Sequence, residues 1–150
     1  FIIYSLFIVS GFILIGTKFL GGSIDYNKMG IKHSIITGIS QGLGVLPGIS
    51  RSGITISAAL LSGMDREKAG EYSFLISIPA ILGAFILKLK DAQGLMDIVD
   101  PLVIAAGMIS AFAVGLLSLQ LLLRLVKRGK LYFFSIYLIP LGIMGLLFFR

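Results

Sequence analysis

The sequence predicts an all-α, polytopic integral membrane protein with four transmembrane helices plus a re-entrant helix hairpin. Three observations predict it. Apolar residues make up 57% of the chain and its mean hydropathy is +1.02, where an ordinary soluble domain is about 45–50% apolar even with Gly counted. Four apolar runs, residues 1–20, 69–88, 101–123 and 131–149, each reach the roughly 20 helical residues needed to cross a hydrocarbon core. Between the first two lies the stretch 34–63, whose apolar pieces 34–46 and 54–63 are too short to span and are separated by Pro-Gly and a charged Arg.

With 150 residues there is too little polar sequence to coat a globule, so lipid is the remaining solvent for the apolar faces. The whole chain, 1–150, reads as a single membrane domain. It opens at Phe1 inside an apolar run with no basic segment before it, which predicts a membrane helix over 1–20 rather than a signal peptide, and an N-terminally truncated chain. The net charge of +6 comes from 13 Lys and Arg scattered into short loops rather than gathered on one face. That placement fits membrane topology and argues against a nucleic-acid partner. The absence of Cys excludes disulfides and thiolate metal sites.

Pro79 in the second run, and Pro140 with Gly142 in the fourth, are tolerable as kinks where a neighbour satisfies the freed carbonyl. Within 34–63, Pro47 removes a backbone donor and Gly48 frees the backbone. One half-helix should therefore end near Leu46 and another begin near Ser52. Loop charges favour re-entry. If 34–63 turns back, the loops carrying Lys18, Lys28 and Lys32, the connection 64–68, and the cluster Arg124, Lys127, Arg128 and Lys130 share one side. The weakly acidic loop 88–100 falls opposite, with residue 1 and Arg150. The positive-inside rule then makes the basic side cytoplasmic. A single crossing would strand one basic cluster outside.

Arg51 is the only charged residue between Lys32 and Asp65. An arginine at membrane depth costs about 2.5–3.5 kcal/mol on insertion scales, which makes it a functional candidate. Beside it stand the hydroxyls of Ser50, Ser52 and Thr55, and it precedes a half-helix whose first N–H groups lack partners. Those N–H groups and the positive helix end favour an anion. Gly48 and Gly53 allow close backbone approach, and a guanidinium fork suits phosphate oxygens. The bland alternative has Ser50 or Ser52 merely capping the half-helix while Arg51 snorkels to an interface. Gln41 could reach the loop or only a neighbouring helix. His33 reads as interfacial, Asp65 as an N-cap, and Glu67 and Glu71 as dipole partners. Gly38, Gly42 and Gly44 should allow close helix packing, and Tyr132, Phe133, Phe134 and Tyr137 should form an interfacial belt.

The run Gln41-Gly42-Leu43-Gly44-Val45-Leu46-Pro47-Gly48-Ile49-Ser50-Arg51-Ser52-Gly53-Ile54-Thr55 closely resembles the PGxSRSGxT signature of undecaprenyl-diphosphate phosphatases, also called the bacitracin-resistance protein family. Arg66 to Pro79 looks like that family's next helix, and Phe134, Tyr137 and Pro140-Leu141-Gly142 resemble its C-terminal helix. The resemblance implies a membrane hydrolase that takes the terminal phosphate from a polyprenyl diphosphate, recycling the lipid carrier for cell-wall polymers and conferring bacitracin resistance. It implies one half of an inverted-repeat fold in the plasma membrane, with the active site facing the outer side. By position, Gly48, Ser50, Arg51, Ser52, Gly53, Thr55 and Gln41 inherit diphosphate binding, and Arg51 and Ser50 a catalytic role. A divalent cation, Mg or Ca, is also implied. Its ligands, a glutamate pair, and the attacking group belong to an N-terminal half missing here, so the fragment alone should be inactive. The alternative is a transporter or flippase of a phosphorylated lipid or small anion, and a third reading is a structural membrane subunit.

Overall fold

The computed structural model describes residues 2–91 and 100–148, and these residues form an all-helical protein. Helix α1 (Ile2–Gly16) continues into a 3-10 turn over Thr17–Phe19. After a second 3-10 turn at Tyr26–Lys28 come two short helices, α2 (Ile31–Leu43) and α3 (Arg51–Leu61), then α4 (Arg66–Asp91). Helix α5 (Pro101–Lys127) starts behind an Asp100 carboxylate that accepts from Leu102 N–H at 2.8 Å. A 3-10 turn at Leu131–Phe134 leads into α6 (Ser135–Phe148). The segments Ile2–Phe19, Arg66–Leu89, Pro101–Lys127 and Leu131–Phe148 are long and apolar enough to cross a membrane. They coincide with the four expected runs to within a few residues. Of the side chains expected to make the outer loop acidic, Asp100 caps α5, whereas the Asp91 side chain and Asp97 lie outside what is described, as do Phe1 and Arg150.

Helices α2 and α3 form a closed hairpin. The segments entering and leaving it are hydrogen-bonded to each other: Gly22 N–H donates to Met64 O (3.0 Å), Ile24 N–H to Gly63 O (3.1 Å) and Asp65 N–H to Ile24 O (3.1 Å). Entry and exit are therefore at one end, as the loop charges require. The first half-helix is shorter than expected, ending at Leu43, because Gly44–Ile49 turn over before Pro47 is reached.

That end is also the basic end. Arg66 donates to the carbonyls of Thr17 (3.3 Å) and Lys18 (3.2 Å) in the 3-10 turn after α1, Lys127 pairs with Glu67 at 2.7 Å, and Lys18 lies 5.6 Å from the Tyr132 ring centre. The Asp65 carboxylate caps α4 by accepting from Glu67 N–H at 3.0 Å, as expected. Tyr26 is clamped beside it, donating to Glu71 at 3.0 Å. Burial, then this hydrogen bond and the negative charge of Glu71 and Asp25, push its phenol up to about 12. The contribution of the neutral phenol to stability is thus complete below pH 10 and lost as pH rises from about 10 to 12.

The best-packed core, including Leu14, Ile56, Ala59, Met64, Ala69 and Val126, sits toward the basic end. Helices α1 and α6 run antiparallel, with Ser135 Oγ donating to Gly11 O at 2.8 Å and Gly142 and Gly145 set against Ile8 and Tyr4. Away from this core, the described residues of α4 beyond Ser77 and of α5 before Leu119 are exposed on every face. Apolar faces of this extent suit lipid rather than water. One packing expectation fails. A side chain added at Gly38 or Gly42 would meet nothing within 4 Å, whereas one at Gly44 would strike Arg51. Gly38 and Gly42 do not pack a helix among the described residues, because α3 lies on the face that carries Gln41 and Gly44.

Candidate active site

The tip of the hairpin is held from α1. The Ser10 hydroxyl, 3% exposed, donates to Gly48 O and accepts from Ser50 N–H, both at 3.2 Å. Ser50 in turn caps α3, its Oγ accepting from Gly53 N–H at 3.2 Å. Between them Gly48 adopts φ +99°, and a Cβ there would fall on the Ile3 carbonyl. Ser10 precedes Thr17 by seven residues, about 10 Å along a helix, and Ile76, which touches Gln41, lies about 15 Å into α4. The tip therefore lies about 10 to 15 Å along the flanking helices from the basic end, a distance about half of a hydrocarbon layer about 30 Å thick.

At this depth Arg51 has no hydrogen-bond acceptor among the described residues, and its Nε is buried without a partner. A buried N–H left unpaired is costly, and the two Nη groups of the same guanidinium remain accessible. It borders a cleft of about 240 Å³ between α3, α4 and α5, whose polar lining is Gln41, Arg51, Ser52, Ser73 and Ser77. The first N–H of α3 to find an intrahelical acceptor is that of Ile54, bonded to Ser50 O. Those of Arg51 and Ser52 precede it and are free for a ligand.

The structure brings the expected residues together unequally. Arg51, Ser52 and Gln41 share this cleft. Ser50 and Gly53 open instead, with Ser52, onto a second cavity of about 370 Å³ lined by Leu14, Leu122, Phe134 and Tyr137. Phe134 and Tyr137 thus line a groove beneath the loop, which corrects their assignment to an interfacial belt alone. Thr55 is fully buried and lies 2.8 Å from Arg51 O and 3.2 Å from Gln41 Oε1, facing the hairpin interior. Gln41 also donates to Ile76 O at 3.2 Å, in the turn before Pro79, so it ties both half-helices to α4. His33 stays at the hairpin mouth, its Nδ1 accepting from Gly30 N–H.

Ser10, Ser73 and Ser77 are the site residues that the sequence did not single out. Ser10 stands in an unbroken apolar helix 38 positions from its partner, and no local pattern marks it. Its replacement by Ala would leave Gly48 O and Ser50 N–H unsatisfied, at a cost of about 1–3 kcal/mol. We expect S10A to lower the thermal midpoint of the full-length protein by a few degrees, with S10T recovering most of the loss. A wild-type midpoint for S10A would show that this bridge does not hold the loop.

A divalent cation does not fit the residues of the cleft. Mg and Ca are bound through oxygen ligands that usually include at least one carboxylate, while the charged group present is a guanidinium. No group of three or more His, Cys, Asp or Glu is assembled among the described residues. Glu67 and Glu71 lie at the basic end, engaged with Lys127, and with Lys68 and Tyr26.

Comparison with known proteins matches residues 1–144 to the family described as Bacitracin resistance protein BacA. The chain belongs to this family. Relatives named undecaprenyl-diphosphatase include one from Treponema denticola, 54% identical over 137 residues, covering 91% of this chain and 51% of the relative. Another from Methanothermobacter thermautotrophicus is 42% identical over 141 residues, 91% of this chain and 77% of the relative. A third, from Methanobrevibacter smithii, is 38% identical over 141 residues, 94% of this chain and 50% of the relative. The chain spans about half the length of the Treponema and Methanobrevibacter relatives. The BacA family match covers both the hairpin and the helices that hold it.

Proposed function

We propose that this chain supplies the diphosphate-binding half of an enzyme that hydrolyses undecaprenyl diphosphate, or a similar polyprenyl diphosphate, to the monophosphate and phosphate. The observation that carries the reading is Arg51, a guanidinium at mid-depth with no partner among the described residues, set beside free helix N–H groups. The name borne by the relatives supplies the substrate class. In this reading a diphosphate lies across Ser52. Its phosphates enter the cleft with Arg51, and its polyprenyl tail follows the groove lined by Phe134 and Tyr137.

In the reaction, a new P–O bond forms to the attacking oxygen and the bridging P–O bond breaks, leaving its electron pair on the lipid monophosphate. Arg51 and the N–H groups of Arg51 and Ser52 stabilise the charge that develops on the phosphoryl oxygens. Arg51 is the catalytic residue of this chain, and Ser50 acts by holding the helix end. The attacking group and the glutamate pair belong, in this proposal, to an N-terminal half not among these residues. The hairpin is re-entrant, the basic end is cytoplasmic, and the cleft opens toward the outer face of the plasma membrane. The closed packing at the basic end and the bare outer parts of α4 and α5 support that direction.

The test is reconstitution of the full-length protein in vesicles carrying a polyprenyl diphosphate. Release of inorganic phosphate is expected. Movement of the intact lipid between leaflets without release would replace this reading with the flippase.

A further inference from the structure

Ser73 in α4 faces Arg51 across the cleft and, like Arg51 and the exposed Ser52, has a polar side chain without a partner among the described residues. Gly70, Ser73 and Ser77 are spaced three and four residues apart and line the same cavity, so they form one face of α4. A serine in an apolar helix commonly returns its hydroxyl to a carbonyl three or four residues back. Ser77 does so, to Phe74 O at 2.7 Å, and Ser57 to Gly53 O. Ser73 does not. It is 4% exposed, yet its hydroxyl makes no hydrogen bond to any described residue. It is also absent from the polar atoms fully shut off from solvent, a condition met by Arg51 Nε. The small accessible part of Ser73 therefore includes its oxygen, on the side of the cleft.

We propose that Ser73 is a substrate-binding residue, donating its hydroxyl proton to the terminal phosphate of the diphosphate that Arg51 holds. This rests on the phosphatase reading above and deepens it. A diphosphate has more acceptor oxygens than one guanidinium and two N–H groups occupy, and Ser73 supplies a donor from the opposite wall. The arrangement also orients the substrate. Ser52 borders both cavities, whereas Ser73 borders only the polar one and Phe134 and Tyr137 only the apolar one. The phosphate beyond Ser52, farthest from the lipid, is thus the one that Ser73 reaches.

The test compares S73A, S73C and wild type in the full-length protein, using farnesyl diphosphate and farnesyl monophosphate as binding probes. S73A should weaken the diphosphate about tenfold, the loss typical of one hydrogen bond to a charged group, and leave the monophosphate within about twofold. S73C, similar in shape but a weak donor, should match S73A. Equal weakening of both probes, or wild-type diphosphate binding by S73A, overturns the assignment. R51A separates the two levels of argument. If R51A loses phosphate release while S73A binds as wild type, only the Ser73 role fails. If R51A turns over normally, the phosphatase reading of this cleft fails with it.

Discussion

Replacement of Arg51 by alanine in the full-length protein should reduce phosphate release from a polyprenyl diphosphate by at least about 100-fold, the scale on which loss of one preorganised charge-stabilising donor is felt. Arg51 is the charged group of the cleft, and the described residues offer its guanidinium no alternative partner. Nothing nearby can take over its work. The fold should tolerate the change, because the side chain makes no hydrogen bond or ion pair with the described residues and its buried Nε is left unsatisfied. R51A is therefore expected to keep or slightly raise the thermal midpoint while activity collapses. R51K tests the geometry of the fork. A point charge on a flexible stem cannot donate from two fixed directions, so R51K should stay well below wild type, near R51A. Turnover by R51A within a few-fold of wild type would remove Arg51 from the chemistry.

The second large effect is expected at Gly48, and it should strike stability and activity together. At φ +99° any other residue is strained by about 1–3 kcal/mol. An added Cβ would also collide with the Ile3 carbonyl and stand 3.0 Å from Leu6 Cβ. Neither can yield without moving α1, which carries the Ser10 bridge to this same residue. G48A should lower the thermal midpoint by several degrees and cut phosphate release by about tenfold or more. The contrast with R51A, where activity alone falls, is measurable on the same preparations. A G48A protein with wild-type melting would mean that the tip does not hold this backbone conformation.

Much of the architecture was legible because lipid imposes a simple rule on helix length. The run 101–123 became Pro101–Lys127, extended by residues whose charges end a span without ending a helix. The hairpin was legible through Pro47-Gly48 and through loop charges, since Lys18, Arg66 and Lys127 do gather at one end. Arg51 stood out for its cost. What could not be read were the contacts made across the fold. Ser10 looks like any small residue in an apolar helix, and Ser73 like its neighbour Ser77, until their hydrogen bonds are known. Gly38 and Gly42 misled for the same reason: spacing reveals a smooth helix face but not whether anything lies against it. Thr55 has the chemistry of a ligand-binding residue, but the helical turn after Arg51 points it inward to Gln41.

The backbone pairing of Gly22 and Ile24 with Gly63, Met64 and Asp65 has a consequence for how the chain reaches its place in the bilayer. Helices of 13 and 11 residues are too short to be threaded across as separate spans. Their mouth can close only after both flanking segments have been made. Closing the mouth therefore requires the chain through Asp65, so both half-helices, and Arg51 at their tip, are complete before the entrance can be tied.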